Sequence, residues 1–185
     1  MVLLDNLGRF RKGRLWLDDT PDIQYDPVGT IKDNIYAISH ETWEKKAVCL
    51  ELLMLLRHTT KYGLLGIEYI PEASDHTELE VCIGKDRDRI LDDSLAHRID
   101  KVHLGVPKTY AEAVFQTGFE VMQTGIIPSG HLKIDLGAYG EMGSNGLIFS
   151  QITRIILKIV MTDLKNLKKE DAEKIVLSEI DKKDI

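Results

Sequence analysis

The chain has 185 residues, 43% hydrophobic and 29% charged, with a net charge of −6; this balance fits one globular domain and excludes a disordered or fibrous chain. No segment approaches the roughly 20 apolar residues of a membrane-crossing helix, and no signal-type apolar run follows the basic cluster Arg9, Arg11, Lys12 and Arg14, so a cytoplasmic protein is expected. Residues 66–100 hold ten acids against four bases, an acidic belt that repels phosphate backbones and sets nucleic acid aside as a partner.

Residues 1–30 mix Gly8, Gly13, Pro21, Pro27 and Gly29 with short apolar pieces. They predict an N-terminal arm that packs on the body through Trp16 and Leu17, with Arg14 to Leu17 as a short strand. Residues 31–185 are expected to form a single α+β domain. Ile31 to Tyr62 predicts a long helical region, interrupted near Ser39. From Ala47 to Leu56 only Glu51 breaks the apolar run, as in a central helix covered on several sides, and Gly63 supplies its stop.

Leu64 to Ile70 predicts a short strand. Thr77 to Ile83 alternates Leu79, Val81 and Ile83 with Glu78, Glu80 and Cys82, the signature of a half-buried strand. Lys85 to Ile99 carries Ile90, Leu91, Leu95 and Ile99 at helical spacing, behind an acidic start at Asp86 and Asp88. A short strand from Lys101 to Val106 and a helix ending at Met122, with Gly125 as its stop, follow. Cys49 and Cys82 sit in apolar or strand-like segments and read as buried free thiols.

From His131 the chain alternates through Leu132, Ile134 and Leu136, then places glycine at 137, 140, 143 and 146. A long apolar-striped helix follows from Leu147 to about Leu164, and a last short helix spans roughly Glu170 to Ile180. Strand, glycine turn and helix can aim backbone N–H groups at an anion. Gly143, Ser144, Asn145 and Gly146 are therefore the candidate ligand-binding residues, for a phosphorylated ligand. The competing reading is a structural corner, with Ser144 or Asn145 as a plain helix cap.

Val106-Pro107-Lys108-Thr109-Tyr110-Ala111-Glu112-Ala113-Val114, with Gly118, Met122 and Gly125, resembles a helix in domain IV of elongation factor G and its relatives. Gly137, Tyr139, Glu141, Ser144, Leu147 and Phe149 recur at the spacing of that domain's next strand, turn and helix. The resemblance covers residues 77–150 and implies helices packed on a small sheet, a ribosomal protein S5 domain 2-like unit in the C-terminal half. Gly140 stands where that family has a polar tip residue, and no GTP-binding loop is present, so translocation activity is not implied. Leu52 to Glu68, above all Lys61-Tyr62-Gly63-Leu64-Leu65-Gly66-Ile67-Glu68, is similar to a cytoplasmic segment of flagellar stator subunits, which implies a mostly α chain as the alternative fold.

Histidine and carboxylate at short spacing can hold a divalent ion. Two sets have that form: His40 with Glu44 at a predicted helix start, and His76, Glu78 and Glu80 on one face of a predicted strand. No GxSxG, HExxH, paired CxxC or dinucleotide fingerprint occurs. The sequence thus points to a non-enzymatic binding or regulatory protein with an acidic surface, a protein partner, no cofactor, and a homo-oligomer as an open arrangement. The alternatives are a small enzyme holding a phosphorylated ligand at the glycine turn and a helical flagellar-motor-associated or scaffold protein.

Overall fold

A computed structural model describes residues 1–39, 41–57, 59–124 and 126–182. Its strands are β1 (Val2–Leu4), β2 (Arg11–Leu17), β3 (Gly29–Tyr36), β4 (Lys46–Leu56), β5 (Thr59–Pro71), β6 (His76–Ile83), β7 (Val102–Leu104) and β8 (Gly130–Gly140); its helices are α1 (Lys108–Met122), α2 (Gly146–Val160) and α3 (Lys169–Ile180). The strands form one mixed sheet in the order β1-β2-β4-β5-β8-β6-β3, with β7 also on β8. Among the described residues only the β6–β8 pair is parallel; the other pairs are antiparallel.

Helices on a small sheet, and the mostly α alternative, are both corrected by this arrangement: the class is α+β, but eight strands dominate it. Nor is the C-terminal half a separable small-sheet unit, because β8 pairs with β5, β6 and β7 in the middle of the sheet. The predicted helix 31–62 is replaced by β3, β4 and the start of β5. Val48 to Met54 are buried at seven consecutive positions. A strand between two covers buries both of its faces, so it shows no alternation and reads like a central helix.

Those covers differ. Even-numbered residues of β4 (Val48, Leu50, Leu52, Met54) face α2 in the main core, together with Ile148, Phe149, Ile152 and Ile156. Odd-numbered ones (Cys49, Leu53) join Trp16, Tyr25, Tyr62, Leu64 and Ala138 in a second core. That second core lies under two irregular segments, residues 18–28 and 84–101, and not under helices. Residues 85–99, predicted helical, are turns and bends; Ala96 is buried in the second core, Leu91 and Leu95 pack against it, and Ile90 and Ile99 stay exposed. Residues 1–30 contribute β1, which pairs with β2, and β2 itself, whose register against β4 runs from Arg11↔Met54 to Leu17↔Val48.

The alternation His131 to Leu136 does not keep one face. A register irregularity between Gly66 and Glu68 of β5 shifts the pairing from Gly66↔Leu136 to Glu68↔Lys133. Leu132 and Ile134 therefore join the main core while Leu136 packs against the second, as expected where a bulge inserts one unpaired residue. β8 continues through Gly137 and Gly140, so the first half of the predicted glycine turn is strand.

Candidate metal centre on the open sheet face

Loop segments cover only the middle of the second face. At its β3–β6–β8 end the face is open, and what it presents follows from register. Leu79 and Val81 must reach the main core, so Glu78 and Glu80 project the other way. The parallel pairing sets Glu78 beside His131 and Glu80 beside Lys133, while β3 places Asn34 across from Glu78 and Lys32 across from Glu80. β8 can begin this close to β5 because residue 130 is glycine: a Cβ there would lie 2.5 Å from the Ile70 carbonyl oxygen.

His131 Nε2 lies 3.4 Å from Glu78 Oε1 and 3.2 Å from Glu80 Oε2. All three ligand atoms fall within 4.8 Å of one another. His131 Nε2 is itself buried, yet satisfies hydrogen-bond geometry with neither carboxylate. Coordination has a different signature. Ligands about 2.0–2.2 Å from a tetrahedral zinc lie roughly 3.3 Å from each other, close to the two spacings found here. Two cations stand at the rim: Lys32 Nζ pairs with the other oxygen of Glu78 at 3.8 Å, and Lys133 Nζ pairs with Asp135 at 3.0 Å.

Beside this cluster is a cleft of about 490 Å³ lined by Tyr25, Glu68, Cys82, Lys133 and Asp135. Tyr25 donates its hydroxyl to the Cys82 carbonyl at 2.9 Å and so pins segment 18–28 over the sheet. Burial, then the Glu80 charge, pushes the Cys82 thiol up to about 11; at neutral pH it is a protonated thiol, not a ready thiolate ligand.

Of the residues predicted to bind metal, the structure brings Glu78 and Glu80 together but supplies a different histidine. His76 Nδ1 turns to Asp75 at 2.9 Å. Glu44 pairs with Lys165 at 2.7 Å on the surface, and His40 lies outside the described residues. His131 is 53 positions downstream of Glu78 in the chain and its neighbour only through the parallel β6–β8 register. Its one local signal was its place at the head of an alternating segment.

The predicted phosphate cradle already holds an anion belonging to the chain. Asp100 accepts from the N–H groups of Gly143 (2.8 Å) and Met142 (3.2 Å), and from its neighbour Lys101 (2.8 Å). Ser144 Oγ accepts from Gly140 N–H and donates to the Tyr62 carbonyl. Asn145 Oδ1 accepts from Ile148 N–H as the cap of α2. A Cβ at Gly140 would meet the Asp100 carboxylate and push it out of this arrangement. These contacts favour the structural-corner reading of Gly143, Ser144, Asn145 and Gly146.

Part of the acidic belt is likewise engaged by partners. Glu68 pairs with Lys45, Asp93 with Arg14, and Asp86 accepts from the Tyr139 hydroxyl at 2.6 Å. Among the described residues no helix is long and apolar enough to cross a membrane, and both cysteines are free and buried. No family model, curated protein or solved structure matches the chain.

Proposed function

We propose that the chain is a non-enzymatic binding protein whose ligand is a divalent metal ion, held by Glu78, Glu80 and His131 on the open sheet face. The observation that carries this reading is His131 Nε2, buried between two carboxylate oxygens at coordination spacing and hydrogen-bonded to neither. Two carboxylates and one imidazole suit borderline ions such as Zn²⁺ or Mn²⁺. Three protein ligands on a half-open face leave coordination positions for water or for a group presented by a partner. That geometry favours regulated binding, in which the ion changes what the face can hold.

Titration calorimetry with zinc chloride tests the site. We expect one saturable event, weakened at least about tenfold in His131→Ala and in Glu78→Gln/Glu80→Gln, since each removes an inner ligand. At about 100 times Kd the ion adds roughly 2.7 kcal/mol, which raises Tm by about 5–10 °C in a domain of this size. If zinc neither binds nor stabilises, or binds His131→Ala and Glu78→Gln/Glu80→Gln as well as the native chain, the cluster is an ion triad and the proposal fails.

A further inference from the structure

At the opposite end of the second face, segment 84–101 stops short of the β2–β4 edge and leaves a groove of about 610 Å³. Its floor and rim include Phe10, Leu55 and Ile99, which are 68%, 39% and 53% exposed. Phe10 adopts φ 63°, a left-handed backbone that bulky residues rarely take and that costs on the order of 1 kcal/mol. Its carbonyl accepts from Leu55 N–H at 2.8 Å, which fixes the aromatic ring's attachment point at the groove edge although the ring itself is mostly in solvent. A backbone held this way presents the aromatic side chain at a fixed place on the groove edge, where a partner can reach it.

The charge of this groove opposes that of the chain. Arg11, Lys12, Arg14, His97 and Arg98 line it against one acid, Asp5, although the chain as a whole carries −6. Arg11 is held by Asp181 at 2.7 Å, and Arg14 by Asp93 and Glu51 at 3.2 and 3.5 Å. Lys12 and Arg98 have no salt bridge among the described residues, and both are exposed. Two free cations therefore flank an apolar floor in a concave surface. Concavity suits a narrow chain better than a flat bilayer, free cations select acids, and the floor selects an apolar anchor between them.

We infer that this groove docks an acidic peptide segment of a partner protein, with a leucine or phenylalanine seated against Phe10, Leu55 and Ile99 and its carboxylates toward Lys12 and Arg98. The surface is remote in register from the metal centre and does not depend on it.

The test is fluorescence anisotropy with a short fluorescein-labelled peptide of glutamates interrupted by leucine and phenylalanine. Saturable binding is expected, weakening with added salt and at least about tenfold in Lys12→Glu/Arg98→Glu. Phe10→Ser should weaken it separately while leaving the salt dependence in place. Lys85→Glu/Lys108→Glu, the same charge change elsewhere on the surface, should leave it intact, and circular dichroism establishes that each variant is folded. The inference is overturned if the peptide does not bind, if an all-glutamate peptide binds equally well, or if Lys12→Glu/Arg98→Glu is without effect. It is also overturned if phosphatidylglycerol vesicles, and not the peptide, capture the protein in a Lys12- and Arg98-dependent way.

Discussion

The helices cover one face of the sheet with an almost wholly apolar contact, whereas loops cover the other and enclose polar groups as they do so. Under α2 the cover is Ile148, Phe149, Ile152, Ile155, Ile156 and Ile159, all fully buried. Under segment 84–101 lies Glu51, also fully buried, which accepts from the Tyr62 hydroxyl at 2.9 Å and the Leu95 N–H at 2.7 Å. A helix satisfies its own backbone and can offer the sheet hydrocarbon alone. A loop brings unpaired N–H groups with it, and the sheet has to supply acceptors. Stability should therefore rest on packing on the first face and on packing joined to buried hydrogen bonds on the second, where the two open ends also lie.

The largest effect is expected on the helix face. Phe149 is fully buried and stacks on Tyr110 with centroids 5.0 Å apart. Phe149→Ala should cost about 3–5 kcal/mol, read from the midpoint of urea unfolding at unchanged slope. A loss below about 1 kcal/mol would mean that the helix layer is not the principal core.

Glu51 tests the other face. Glu51→Ala leaves the Leu95 N–H and the Tyr62 hydroxyl without an acceptor and leaves Arg14 with Asp93 alone, at a cost of about 2–4 kcal/mol. Glu51→Gln keeps an acceptor and should cost far less. Burial raises the Glu51 carboxyl above the ordinary glutamate range, more than the Leu95, Tyr62 and Arg14 contacts lower it. With the folded value above the unfolded one, the folded state binds more protons, so this group's contribution falls as pH rises from about 4.5 through the raised value. Native protein should lose stability relative to Glu51→Gln across that window in melts taken at successive pH values. Parallel curves would show that Glu51 is charged at little cost in its place.

The same contrast explains what could be read from the sequence. α2 and α3 begin and end within a few residues of their predicted limits and α1 ends at its predicted Met122, because each carries apolar residues at 3.6-residue spacing, as a stripe in α1 and α3 and as a broader face in α2. β6 was legible for the corresponding reason at period two. β4 was not, because two covers erase its alternation and its 11 residues match the length of a helix. Segment 84–101 has apolar residues at helical spacing, but its geometry is set by distant groups: Tyr139 donates to Asp86 and accepts from Arg87 N–H, and His103 Nδ1 meets the Asp88 carbonyl. None of these partners is local. Two of the three members of the candidate metal centre, Glu78 and Glu80, followed from strand alternation. Its third member needed the β6–β8 register, which depends on a parallel crossover through α1.

The smallest effect is expected where the glycine corner meets the loop layer. Asp100 offers two oxygens to the N–H groups of Lys101, Met142 and Gly143. Asp100→Asn keeps one oxygen and turns an amide donor toward N–H groups, so at least one bond is lost, at about 1 kcal/mol. The loss should be local. Amide hydrogen exchange should quicken at Met142 and Gly143 while Ile152 and Ile156 in α2 keep their protection, because the corner can open without disturbing the hydrocarbon beneath it. Equal loss of protection in α2 would mean that the corner and the helix face open as one unit, and the division between a packed face and a hydrogen-bonded face would not hold at their junction.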